Sequence, residues 1–292
     1  MILKEDSSEQ KLRGAYYTPL KLAKKMVDFF KDDLSIKSIL EPSCGDGVFV
    51  DALLESQFLS QHKRVTAIEI EKKEAEKLSE KLKDNSNIDV VNGDFFEFYH
   101  KHKDMDTYDL ILGNPPYIRY QYLEEKQRSE MAEILTSHGM KANKLINTWV
   151  GFMVACVHML SDNGKIAFVI PAEILQVAYA EDLRLFLSNK LSKITLLTFE
   201  ELVFPGIEQE VVVFIGEKGD SEKGIKIVEL NNLEDLENLI LQQYVAQVGG
   251  SRSKYGEPIP ILENTLFTLN DLGIAEVESK QWFNLQFVLT QI

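Results

Sequence analysis

Short apolar runs alternate with helix-periodic segments along most of this chain. That alternation restricts the fold more than any other feature of its 292 residues. Residues 38–40, 64–68, 88–91, 110–113, 165–170, 194–199 and 211–215 read as seven strands, and helices are expected at 48–59, 71–83 and 147–160. Parallel neighbours need a crossover that covers the sheet, so this pattern predicts an α/β fold with a mostly parallel seven-stranded sheet and helices on both faces. The last two strands are joined through Val203-Phe204-Pro205-Gly206 without a helix, which predicts an antiparallel hairpin at one edge.

The polar, Gly-containing stretch 217–224 marks a boundary. Residues 1–220 are expected to form the main domain, and 221–292 a linker with a partial C-terminal region. In that region 232–246 reads as an amphipathic helix, 249–254 as a flexible linker, and an aromatic segment surrounds Trp282 and Phe283. No apolar run reaches the roughly 18 residues of a membrane helix, and the N-terminus lacks the apolar core of a signal peptide. Two cysteines, Cys44 and Cys156, exclude a disulfide framework and point to a reducing, cytoplasmic setting. A net charge of −14 argues against a broadly basic nucleic-acid-binding face on this stretch. DNA binding by the chain alone is expected to be weak and salt-sensitive.

Chemistry concentrates where the runs end. Asn114-Pro115-Pro116-Tyr117 follows the fourth run. The Asn114 amide oxygen and the Pro115 carbonyl can accept both hydrogens of a planar amino group while Tyr117 stacks on the ring that carries it. That arrangement suits methyl transfer to an exocyclic or amide nitrogen; a plain turn is the alternative. Glu41-Pro42-Ser43-Cys44-Gly45-Asp46-Gly47 follows the first run, where a doubly wound sheet faces its ligand crevice. Val50 replaces the third glycine of a dinucleotide fingerprint, which argues against a pyrophosphate. Glu69, at the end of the second run, is placed to accept from ribose hydroxyls.

Other positions keep two readings. Asp94, in Asn92-Gly93-Asp94-Phe95-Phe96, can accept from an adenine amine or cap a helix. Thr18, in Gly14-Ala15-Tyr16-Tyr17-Thr18-Pro19, can cap the helix beginning at Leu20 or help bind a carboxylate. Phe204 can stack on a base or pack in the core. No His/Cys spacing suggests a metal, and His158 reads as a packed helix histidine.

Taken in order, Gly14–Pro19, Glu41–Phe49, Glu69, Gly93–Phe96, Asn114–Tyr117, residues 166–171 and Phe204–Gly206 resemble the gamma-order N6-adenine DNA methyltransferases. These are S-adenosylmethionine-dependent amino-methyltransferases with a Rossmann-like class I fold. The resemblance covers about residues 12 to 216. It implies that Tyr17, Thr18, Pro19 and Glu41 lie at the methionine end of the cofactor and that Cys44, Gly45, Asp46 and Gly47 line the loop beneath it. Glu69 would hold the ribose, Asp94 the adenine amine, and Ile70 and Phe95 the faces of that ring. Asn114, Pro115, Pro116 and Tyr117 would form the catalytic motif, Asn114 and Pro115 also bordering the cofactor, with Tyr117 and Phe204 around an extruded target adenine. It further implies DNA as substrate in a restriction-modification or phage-defence system. A target-recognition region would lie beyond residue 292 or on another polypeptide. Glutamine methylation of release factors, rRNA guanine-amine methylation and a non-catalytic cofactor- or DNA-binding module are the competing readings.

Overall fold

β-Branched and aliphatic runs supply the strands. In a computed structural model these are β1 (Ser38–Glu41), β2 (Arg64–Glu69), β3 (Ile88–Asn92), β4 (Tyr108–Gly113), β5 (Leu160–Pro171), β6 (Lys193–Phe199), β7 (Val211–Glu217) and β8 (Gly224–Leu230). The structure describes residues 18–59, 62–143, 146–175, 180–204, 209–220 and 223–238, with short strand segments at 251–252, 258–259 and 266–268. The helices within these residues are α1 (Leu20–Asp28), α2 (Val48–Glu55), α3 (Lys72–Lys81), α4 (Phe95–His102), α5 (Glu125–Ser137), α6 (Thr148–His158) and α7 (Glu181–Lys190).

The strands order as β8-β6-β7-β5-β4-β1-β2-β3, with Leu266–Thr268 antiparallel to the outer side of β8. All eight run parallel except β7, which is antiparallel to both β5 and β6. The ends of β1, β2, β3 and β4 therefore open on one side of the sheet, where ligands of doubly wound sheets bind. Helix α6 is buried from Thr148 to Val157 and packs against α4, α5, α7 and β5. Gly151 makes that possible: a Cβ there would lie 2.8 Å from Met131 and 3.1 Å from Phe96.

The sheet departs from expectation in three places. The β6–β7 pair is not at an edge, because β8 pairs parallel with β6 from Lys193↔Gly224 to Phe199↔Leu230. Ile225, Val228 and Leu230 are buried, so the sheet runs past residue 220. β5 begins at Leu160 rather than 165, and its pairing with β4 shifts register so that 161–164 bulge out. The expected helix at 232–246 is a 3-10 turn over Leu233–Asn238, and its remainder lies outside the described residues. In the expected linker, Ser251–Arg252 pairs antiparallel with Pro258–Ile259. Trp282 and Phe283 lie outside the described residues.

Candidate active site

The loop after β1 is held by backbone bonds to the next strand. Cys44 donates its N–H to the Ile68 carbonyl at 2.8 Å, and Gly47 to the Cys44 carbonyl at 2.8 Å. Gly47 has φ of +87° and a Cβ there would meet Leu78 Cδ1 at 2.5 Å, so both conformation and space select glycine. Glu69 fastens the loop from below. Its Oε2 accepts from the Gly45 N–H at 2.8 Å and its Oε1 from the Glu71 N–H at 2.7 Å. Burial pushes the Glu69 carboxyl up, and those two N–H groups oppose the shift. Each oxygen keeps a further lone pair for a hydroxyl.

Glu41, at the end of β1, is 1% exposed, and its Oε2 is buried without a hydrogen-bond partner. Burial first, then Asp46, Glu69 and Asp51, hold its carboxyl well above the usual range. An orphaned buried acceptor of this kind is unfavourable until a donor arrives, and an ammonium group is its complement. Thr18 does not cap α1. The helix is capped at Pro19, whose carbonyl accepts from Leu22 and Ala23, and Thr18 Oγ1 is buried with no partner. Two orphaned polar atoms thus occur among the residues expected to face an amino-acid moiety. The residues present fit the amino-acid end of S-adenosylmethionine. Cys44 is buried and its thiol is pushed up by burial, which removes it as a nucleophile.

The motif after β4 lies against this loop. A Cβ built at Gly113 would be 3.6 Å from Pro42 Cδ and 3.8 Å from Glu41 Cγ. The Ser43 hydroxyl donates to the Asn114 backbone carbonyl at 3.3 Å. Tyr117 donates its hydroxyl to the Val169 carbonyl at 3.0 Å, which fixes its ring against β5. The chain beyond it is tied to the start of α6, where Thr148 N–H donates to the Ile118 carbonyl at 2.8 Å. Tyr117 and Phe204 belong to one apolar cluster at 8% and 2% exposure, so neither ring presents an open face to solvent. Pro115 is buried and Pro116 half-buried.

At the far end of the crevice, Gly93 N–H donates to the Glu69 carbonyl at 2.9 Å and sets the β3 end beside the β2 end. Asp94 caps α4: Oδ1 accepts from the Phe96 N–H at 2.7 Å, and Oδ2 accepts from Gln127 Nε2 at 2.7 Å. The Phe95 ring is buried, 4.7 Å from that of Phe152, while Ile70 is 55% exposed. His158 is exposed and bonds through Nδ1 to the Tyr99 hydroxyl at 3.0 Å, away from these strand ends on α6. Tyr17, Pro205 and Gly206 lie outside the described residues. Gln127, Ser43 and Leu78 were not singled out from the sequence. Gln127 had a local signal, since Glu124-x-x-Gln127 has the spacing of a reciprocal helix cap.

A family model described as Eco57I restriction-modification methylase matches residues 18–204. Type II methyltransferase M.HincII of Haemophilus influenzae is 30% identical over 252 residues, covering 84% of this chain and 46% of that protein. Type II methyltransferase M.AccI of Acinetobacter calcoaceticus is 29% identical over 227 residues, covering 77% and 40%. The chain thus spans less than half the length of these curated relatives. A modification subunit of a putative type I restriction enzyme from Vibrio vulnificus superposes with a TM-score of 0.64 at 16% identity, over 92% of this chain and 62% of that one. A putative class I S-adenosylmethionine-dependent methyltransferase from Listeria monocytogenes superposes with a TM-score of 0.59 at 13% identity, over 78% and 69%. These likenesses establish a class I methyltransferase fold.

Proposed function

The chain belongs to the Eco57I restriction-modification methylase family. From that premise we propose that it transfers a methyl group from S-adenosylmethionine to the exocyclic N6 amine of an extruded adenine in DNA. It does so in the cytoplasm, in a restriction-modification or phage-defence system, with a target-recognition region in the same or another polypeptide. The observation that carries the reading is the contact between the two ends of the reaction. Gly113, which precedes Asn114, leaves room beside the buried Glu41, where an added Cβ would stand 3.8 Å from Glu41 Cγ; Glu41 Oε2 has no partner, and the Ser43 hydroxyl donates to the Asn114 carbonyl.

When bound, the cofactor supplies a methyl group already activated on sulfonium, so alignment is the main requirement. Glu41 and Thr18 receive its amino-acid end, with Tyr17 and Pro19 alongside. Glu69 accepts from the ribose, and Asp94 from the adenine amine between Ile70 and Phe95. Asn114 Oδ1 and the Pro115 carbonyl each accept one hydrogen of the target amine. That pairing favours a pyramidal nitrogen and stabilises the positive charge that develops there. Tyr117 and Phe204 are buried without an open face, so holding the extruded base between them requires the motif and the segment at Phe204 to part, and stacking on the order of 1–3 kcal/mol per base offsets part of the unstacking cost.

The test is radiolabelled methyl transfer to DNA, RNA and release factor, followed by mass spectrometry of digested DNA for N6-methyladenine. Label on release factor or RNA alone would replace this reading. Asn114→Ala is expected to lower turnover by about 100-fold or more, by analogy with loss of one preorganised acceptor or donor. Its affinity for S-adenosylhomocysteine should change much less. Lost affinity with normal turnover would contradict the role of Asn114.

A further inference from the structure

The contact that joins α5 to α4 passes through the carboxylate assigned to the cofactor's adenine. Gln127 is the third residue of α5. Its Oε1 accepts from the Glu124 N–H at 3.3 Å, as half of a reciprocal cap. Its Nε2 donates to Asp94 Oδ2 at 2.7 Å, while Asp94 Oδ1 is held by the Phe96 N–H at 2.7 Å and the Glu97 N–H at 3.4 Å. Donors on both oxygens fix the carboxylate plane, so the remaining lone pair of Oδ2 has one direction.

We infer that Gln127 is a positioning residue for purine recognition: by donating to Asp94 Oδ2 it aims that oxygen at a 6-amino group and so sets the preference for a 6-amino over a 6-oxo purine. This rests on the proposed function, in which Asp94 receives the adenine amine. The charges around Asp94 show why a neutral donor is useful there. On α4, Glu97 pairs with Lys126 of α5. Glu130 of α5 has a buried, unpartnered Oε2 and is raised by burial and by Asp94, with His100 and Lys126 opposing. The Gln127 amide gives Asp94 Oδ2 a donor without adding a charge among these groups. The same helix follows the Asn114–Tyr117 motif through the turn Tyr120–Tyr122, and Arg128 Nη1 donates back to the Leu123 carbonyl at 2.7 Å. Gln127 therefore ties the segment after the catalytic motif to the adenine end of the crevice.

The experiment is calorimetric titration of the full chain with S-adenosylhomocysteine and S-inosylhomocysteine, which differ at the purine 6-position. Wild type is compared with Gln127→Leu and Gln127→Glu. Glutamate at this helix position also closes a reciprocal cap, so Gln127→Glu keeps the helix start while removing the donor. Wild type should prefer the amino ligand, and Gln127→Leu should lose about tenfold of that preference, with affinity for the oxo ligand unchanged. Gln127→Glu should lose the preference likewise, because a carboxylate at this place brings no donor. Preference retained in both variants, or equal weakening of both ligands, overturns the inference and leaves the proposed function standing. Wild type that binds neither ligand overturns the proposed function itself.

Discussion

Glu41 is unfavourably placed when the crevice holds no cation. Its folded-state carboxyl is raised above the unfolded value by burial and by the neighbouring acids Asp46, Glu69 and Asp51. The folded protein then binds more protons than the unfolded chain. Stability is highest below the ordinary carboxylate range and falls as pH rises from that range toward the raised value. Glu41→Gln removes the charge. Its thermal midpoint should exceed that of wild type at neutral pH by roughly a few degrees, and the difference should vanish in acid, as scanning calorimetry would show. Its affinity for S-adenosylhomocysteine should drop about ten- to a hundredfold, because a charge-assisted bond to an ammonium is lost. A variant that binds as wild type does would remove Glu41 from the site. The position of this residue was legible in the sequence because it ends an apolar run directly before a glycine loop. The geometry of Asp94 was not legible. Cap and adenine acceptor remained equal readings because Gln127, which occupies Oδ2, lies 33 residues away.

At the scale of elements, the start of α2 is set by one backbone conformation. Gly47 sits at φ +87° with Leu78 of α3 where a side chain would go. Gly47→Ala should destabilise by about 1–3 kcal/mol in a denaturant titration, from conformation and crowding together. Adding Leu78→Ala relieves the crowding only. The double variant should therefore be less unstable than the sum of the singles, and strict additivity would show that Leu78 does not close on this loop. Strand–helix alternation carried most of the architecture because periodicity is local. Its failures have local causes too. Helix α2 stops at Glu55 rather than 59, since Gln57 takes a positive φ of 53°. β5 was shortened in the sequence reading because Ser161-Asp162-Asn163-Gly164 has turn composition, yet the bulge against β4 keeps it in the strand. β8 was overlooked because Lys226 and Glu229 interrupt its apolar residues. Its place in the sheet depends on β6, a partner that periodicity cannot identify.

At the scale of the whole molecule, a net charge of −14 must be reconciled with the polyanionic substrate proposed for it. A duplex approaching this chain meets net repulsion, and affinity depends on local cations such as the exposed Arg119 just beyond the catalytic motif. Each phosphate contact is weakened as salt rises, because releasing a condensed counterion into a more concentrated solution gains less entropy. Fluorescence anisotropy with a labelled duplex should give a dissociation constant weaker than about a micromolar at physiological ionic strength, tightening steeply as salt is lowered. The proposed cofactor contacts differ in kind, because Glu41 and Glu69 are buried and buried pairs are little screened. S-Adenosylhomocysteine titrated across the same salt series should therefore keep nearly constant affinity while duplex binding falls. Nanomolar, sequence-specific duplex binding at physiological salt would place the reading surface on this chain. Parallel loss of both affinities would show that the donor site is open to the ionic atmosphere, which the burial of Glu41 and Thr18 argues against.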